Sequence, residues 1–234
     1  MSTVLLIRHG RSTANTGGVL AGHSPGVLLD DVGQQQADAL AERLTGLELV
    51  AAVSSPLERC METAQRALVG RDLPIRVDER IIECRYGDWT GKELKELTDD
   101  PMWKVVQRHP SAAVFPGNEG ESLRDVQNRA VEAIRSLNDE LGERAVYAVF
   151  SHGDVIKAIL ADALGLHLDQ FQRIVVNPCS VSVVTYTPER PFVHRMNDVS
   201  GPLAGFAPPA ETDEADSKAP SSDAVVGGGT GDGR

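Results

Sequence analysis

Short apolar runs and longer amphipathic stretches take turns along this chain. Val4–Ile7, Leu49–Val53 and Ala145–Phe150 contain no polar break, the pattern of strands buried on both faces. Between them the apolar period lengthens. Ala37, Leu40, Ala41, Leu44 and Leu47 recur at helical spacing behind Asp30 and Asp31, which can cap a helix start. Pro56 suits the first turn of a helix running to about Leu68. Leu123, Val126, Ala130, Ala133, Ile134 and Leu137 line one face of a long helix over Glu121–Leu141. A further helix is expected from about Asp154 to Leu164, stopped by Gly165. Pro74–Val77 reads as a weaker strand, and Ser180–Tyr186 with Phe192–Met196 as an edge hairpin.

Strands alternating with helices imply an α/β fold, a three-layer α/β/α sandwich around a mostly parallel sheet. Tyr86–Gly120 breaks the rhythm with Trp89, Trp103 and Pro110, and reads as a partly helical insertion leaning over the sheet edge and the active site. After Gly205 the composition shifts to Pro, Ala, Ser, Gly and Asp, too poor in apolar residues to offset the entropy of ordering. The expected organisation is one domain over residues 1–204 and a disordered acidic tail over 205–234.

In such sheets ligands bind beyond the carboxyl ends of the strands. The first strand runs into Arg8-His9-Gly10-Arg11-Ser12, the second into Ser54-Ser55-Pro56-Leu57-Glu58-Arg59, and the third strong strand into Ser151-His152-Gly153. Two histidines and several arginines thus converge on one rim by three separate routes. That set suits phosphoryl transfer, in which charge spread over three oxygens must be neutralised. Arginine forks bind two oxygens at once, and a protonated His adds a charged donor. A neutral imidazole attacks phosphorus when its other nitrogen is held by a hydrogen bond. Amides opening the following helices offer more donors.

The bulk numbers narrow the partners. A formal net charge of −11 argues against general nucleic-acid binding, and part of that excess sits in the tail, where six acids face Lys218 and Arg234. Three dispersed cysteines (Cys60, Cys84 and Cys179) lack disulfide or zinc spacing, as expected of a reducing cytoplasm. No run approaches the ~20 apolar residues of a membrane span. A soluble, cytoplasmic protein without membrane partners is expected, with a homodimer left open. No metal ligand cluster, cofactor fingerprint, HExxH or GxSxG is present, and GDWTGK misses the P-loop spacing.

Six blocks carry a resemblance: LIRHGRSTAN, LDDVGQQQADAL, SSPLERCMETA, ECRYGDWTG, GNEGESLRDVQNRA and FSHGDVIKAIL. In this order they resemble the histidine phosphatase superfamily, also called phosphoglycerate mutase-like. The resemblance implies that His9 is the nucleophile that becomes phosphohistidine, and that Arg8, Arg59 and His152 clamp the phosphoryl oxygens. It makes Asn15 a further substrate contact and Ser12 a pocket residue. Glu83 takes the acid/base position, with Asp154 as a rival. No metal or other cofactor is implied, and the substrate is a small phosphorylated metabolite.

Other residues read as structural. His23 sits in a Gly/Pro loop that reads as surface, with a place at the pocket border as the alternative, while His109, His167 and His194 match no motif. Trp89 and Trp103 pack the insertion, Glu121 and Ser122 open a helix, and Cys60 is a small buried residue. Phosphatase and phosphomutase share the same core. Phosphoglycerate mutases hold a second anionic group with adjacent arginines in a longer insertion; the basic residues here, Lys92, Lys95, Lys104 and Arg108, include no adjacent pair, so the resemblance favours the phosphatase. A non-catalytic phospho-ligand binder is the remaining alternative, disfavoured because the core set is complete.

Overall fold

The Val4–Ile7 run lies at the centre of a strand, Ser2–Arg8 (β1), in the computed structural model, which describes residues 1–200. The expected tail and the boundary at 204 lie outside the described residues. After β1 the chain forms a short helix α1 (Thr13–Thr16), helix α2 (Asp31–Arg43), strand β2 (Ala51–Ser54), helix α3 (Glu58–Ala67) and strand β3 (Ile75–Val77). Two short helices, α4 (Leu94–Leu97) and α5 (Pro101–Arg108), precede the long α6 (Leu123–Leu141). Strand β4 (Val146–Ser151), helix α7 (Gly153–Ala163) and the strands β5 (Val181–Tyr186) and β6 (Pro191–Asp198) complete it.

The six strands form one sheet in the order β3-β2-β4-β1-β5-β6. The first three junctions are parallel, whereas β1–β5 and β5–β6 are antiparallel. Alternation along β1 divides the core into two. Leu5 and Ile7 join Leu40, Ala64 and Phe150 under α2 and α3. Val4 and Leu6 face Val126, Ile134, Ile156 and Ile159 of α6 and α7. The sheet is therefore covered on both faces, as the sequence predicts.

Capping accounts for several boundaries. Asp30 accepts from the Gly33 amide to start α2, and Ser122 from the Asp125 amide to start α6. Helix α3 opens at Glu58 rather than at Pro56. Ser55 donates its amide to the Phe150 carbonyl at 2.9 Å, and Leu57 stays extended at φ −69°, ψ 138°. The insertion is partly helical and belongs to the α6/α7 core. Trp89 is fully buried against Phe115 and Trp103, and its Nε1 donates to Asp100 at 3.0 Å.

Close approach explains one pair of glycines. A Cβ on Gly33 would lie 1.9 Å from the Arg11 carbonyl oxygen, and one on Gly10 2.6 Å from that of Gly33. The start of α2 is thereby seated directly on the loop that follows β1.

Candidate active site

The ends of β1, β2 and β4 deliver His9, Ser55 and His152 to one place because these strands are adjacent and parallel. His9 and His152 stand edge to face with ring centroids 5.3 Å apart, both essentially buried. His9 Nδ1 donates to the carbonyl of Gly10 at 2.7 Å. That bond fixes the tautomer and leaves the lone pair on Nε2. Burial first, then Arg59 and Arg8, hold the imidazole well below its ordinary pKa. A neutral ring with a free nitrogen is the nucleophilic form.

His152 is also held well below its ordinary pKa, by burial and then by Arg59 and His9. It is therefore a neutral donor before a phosphoryl group arrives, not the charged one the sequence suggests. Its Nε2 lies 2.8 Å from the Ser55 hydroxyl and its Nδ1 3.7 Å from Glu83 Oε2. With the hydroxyl donating to Nε2, the proton stays on Nδ1. Although that contact has ion-pair geometry, burial pushes Glu83 up to about 7 and His152 down, so below that pH the two meet as neutral groups.

Arg8 is fully buried, with Nη1 on the Val176 carbonyl at 2.7 Å. Arg59 is 2 % exposed; Nη2 donates to the Gly22 carbonyl at 2.9 Å, whereas Nη1 has no hydrogen-bond partner. An orphaned guanidinium nitrogen beside two imidazoles is a donor awaiting an acceptor. Thr63 ties the loop after β1 to the first turn of α3, its hydroxyl accepting from the Gly10 amide at 2.9 Å and donating to the Arg59 carbonyl at 2.7 Å. Helix α7 has no side-chain cap at its start, which leaves first-turn amides open to an anion.

Glu83 is 4 % exposed and keeps one oxygen on the Cys84 amide at 2.9 Å. Desolvation and then the nearby Asp154 raise it, against Arg59 and Arg8. The rival carboxylate is committed elsewhere. Asp154 accepts from the Tyr86 hydroxyl at 3.0 Å and pairs with the buried Lys157 at 3.4 Å. Ser12 and Asn15 form a reciprocal cap on α1: Asn15 Oδ1 accepts from the Ser12 amide and hydroxyl, leaving the Asn15 amino group as its donor.

His23 is half-buried and donates from Nε2 to the Glu83 carbonyl at 2.7 Å, so its loop borders the site rather than open surface. Tyr86, Lys157 and Arg129 are further site neighbours that the sequence does not single out. Cys60 packs beside His152, and burial pushes its thiol up to about 12, consistent with a structural role. His109 and His167 flank Asp169, and His194 is exposed on β6. Among the described residues no helix is long and apolar enough to cross a membrane.

Comparison with known proteins places this geometry in a family. The sequence profile of the histidine phosphatase superfamily, branch 1, matches residues 4–199. The chain is 27% identical over 184 residues to the 2,3-bisphosphoglycerate-dependent phosphoglycerate mutase of Thermoplasma acidophilum, covering 79% of this chain and 87% of that protein. It is 29% identical over 203 residues to phosphoserine phosphatase 1 of Hydrogenobacter thermophilus, covering 84% and 92%. The solved structure of Bacillus stearothermophilus YhfR superposes with a TM-score of 0.78 at 31% identity, over 85% of this chain and 98% of that one. The matched span includes every strand end that carries the site, and the chain belongs to the histidine phosphatase superfamily, branch 1.

Proposed function

We propose that the chain is a phosphomonoester hydrolase that passes the phosphoryl group of a small metabolite through His9. The observation that carries this reading is the pairing of a neutral, Nδ1-anchored His9 with the orphaned Nη1 of Arg59. His9 Nε2 attacks phosphorus while the bond to the leaving oxygen breaks. Glu83 is held up to about 7 and donates its proton to that oxygen. Water then attacks the phosphohistidine and gives a proton back to Glu83, the P–N electron pair returns to the ring, and phosphate departs. Arg8 and Arg59 neutralise the equatorial oxygens, and His152 adds an uncharged hydrogen bond to them. The Asn15 amino group contacts the substrate, and Ser12 holds Asn15 there.

Hydrolysis is favoured over a mutase by the charges around the histidines. The arginines acting on His9 are Arg59 and Arg8, and Arg129 joins Arg59 at His152. Lys92, Lys95, Lys104 and Arg108 of the insertion are exposed, and Lys95 is paired with Glu93. A mutase needs a second anion clamp to retain its intermediate product. The relatives include enzymes named for either activity.

The test is phosphoenzyme trapping with p-nitrophenyl phosphate and an alkyl phosphate. His9→Ala should trap no label, and Arg59→Ala should lose on the order of 10³–10⁵ in turnover, by analogy with arginine fingers. Glu83→Gln should lose roughly 10²–10⁴ on the alkyl ester. On p-nitrophenyl phosphate it should phosphorylate and then stall, with label on His9. Dependence on the leaving group at Asp154→Asn instead of Glu83→Gln would reassign the acid, and label on His9→Ala would discard the nucleophile.

A further inference from the structure

Arg129 projects from α6 outside the proposed catalytic set, yet it makes five hydrogen bonds in a single direction. Nη1 donates to the carbonyls of Arg80 and Ile82, both at 2.7 Å, and Nη2 to that of Glu83 at 3.1 Å. Nε and Nη2 grip Glu121 at 2.7 and 3.0 Å, a two-point pair with both side chains less than one-fifth exposed. Glu121 in turn accepts from the Arg85 amide at 3.2 Å. One guanidinium therefore collects carbonyls over residues 80–83, and its carboxylate partner continues to Arg85.

This stretch has little regular structure of its own. Only Glu79–Ile81 makes a 3-10 turn, and residues 82–84 belong to no strand. Irregular backbone must find its hydrogen bonds elsewhere. The Glu83 carbonyl is satisfied twice, by Arg129 and by His23 Nε2 at 2.7 Å, which fills both lone pairs and stops the peptide from turning. The carboxyl leaves the same residue, so a fixed peptide fixes its starting point.

We propose that Arg129, locked by Glu121, is the positioning residue that holds the Glu83 carboxyl where it can deliver its proton to the leaving oxygen. The inference rests on the reading of Glu83 as the acid. It acts through geometry: the charges that most move Glu83 are Asp154, Arg59 and Arg8. A rigid fork is required, because a lysine ammonium cannot span three carbonyls and a carboxylate.

The experiment measures Arg129→Met, Arg129→Lys and the milder Glu121→Gln on an alkyl phosphate and on p-nitrophenyl phosphate. A displaced acid costs roughly 10-fold to 100-fold in kcat where the leaving group needs its proton. The p-nitrophenyl ester should change by less than about threefold in phosphoenzyme formation, since its leaving group needs little protonation. Lysine should not rescue the alkyl reaction. In a Glu83→Gln background Arg129→Met should add less than about twofold, as expected of two groups acting in one step. Equal losses on both esters, or full additivity with Glu83→Gln, would overturn the inference in favour of general support of the fold. If Arg129→Met does not fold, Glu121→Gln decides by the same ester comparison. Glu83→Gln alone separates the two readings: without ester dependence there, the acid assignment fails and this inference with it. With that dependence present and none in the Arg129 variants, only this inference fails.

Discussion

Burial acts on His9 and Glu83 in opposite senses, and both outcomes serve one reaction. An imidazole taken out of water sheds its proton, whereas a carboxyl retains it. In the proposed scheme the nucleophile and the acid are thereby set in their working states before substrate arrives. If Glu83 is the acid, kcat/KM for an alkyl phosphate should fall as pH rises through about 7, where the free protein loses that proton. Glu83→Gln should show no such limb. The same shift affects stability, and its sign can be worked out. Below pH 4.5 both folded and unfolded chains hold the proton; between 4.5 and about 7 only the folded chain does. Stability from this group is thus full at low pH and is lost as pH rises through that window, by up to about 3 kcal/mol. Glu83→Gln removes the buried charge, so it should be nearly neutral at pH 4 and stabilising at pH 8. Urea titrations of both proteins at the two pH values measure it, and equal differences would refute it.

At the level of elements, the site depends on how closely α2 approaches the loop after β1. By helix propensity alone, Gly33→Ala should stabilise by about 1 kcal/mol. Its Cβ would, however, lie 1.9 Å from a backbone oxygen that cannot swing aside. The clash wins, with an expected loss of about 1–3 kcal/mol and reduced turnover as Gly10 and His9 shift. A raised urea midpoint with unchanged kcat would show that the contact has slack. The strands, α2, α6 and α7 were readable because their apolar periods report burial directly. His9, Arg8, Arg59, Glu83 and His152 stood out at strand ends and in motifs, and the fold brings them together. Residues whose meaning depends on a distant partner were not readable. His23 looks like loop surface until the Glu83 carbonyl is seen against it, and Arg129 looks like a polar helix position until residues 80–83 pass beneath it. The start of α3 moved for the same reason, since Ser55 answers to β4 and His152.

For the whole molecule the question is how an acidic chain, at −11, receives a phosphate dianion. The site carries its own charge balance. Arg8 and Arg59 supply two positive charges, Lys157 offsets Asp154, and His9, His152 and the protonated Glu83 contribute none. Two fixed positive charges meet a doubly negative phosphoryl group in a buried setting, where each interaction is stronger than in water. A divalent cation would add two further charges at a place already balanced. Among the described residues no group of three or more His, Cys, Asp or Glu could hold a metal ion. Turnover should therefore survive exhaustive EDTA treatment within about twofold, whereas removing Arg59 should cost on the order of 10³ or more. Added magnesium should not restore the Arg59→Ala variant, because a hydrated ion does not reproduce the planar two-point contact of a guanidinium. A tenfold or larger loss on chelation, recovered by magnesium or zinc, would mean that the two arginines do not carry the charge compensation by themselves.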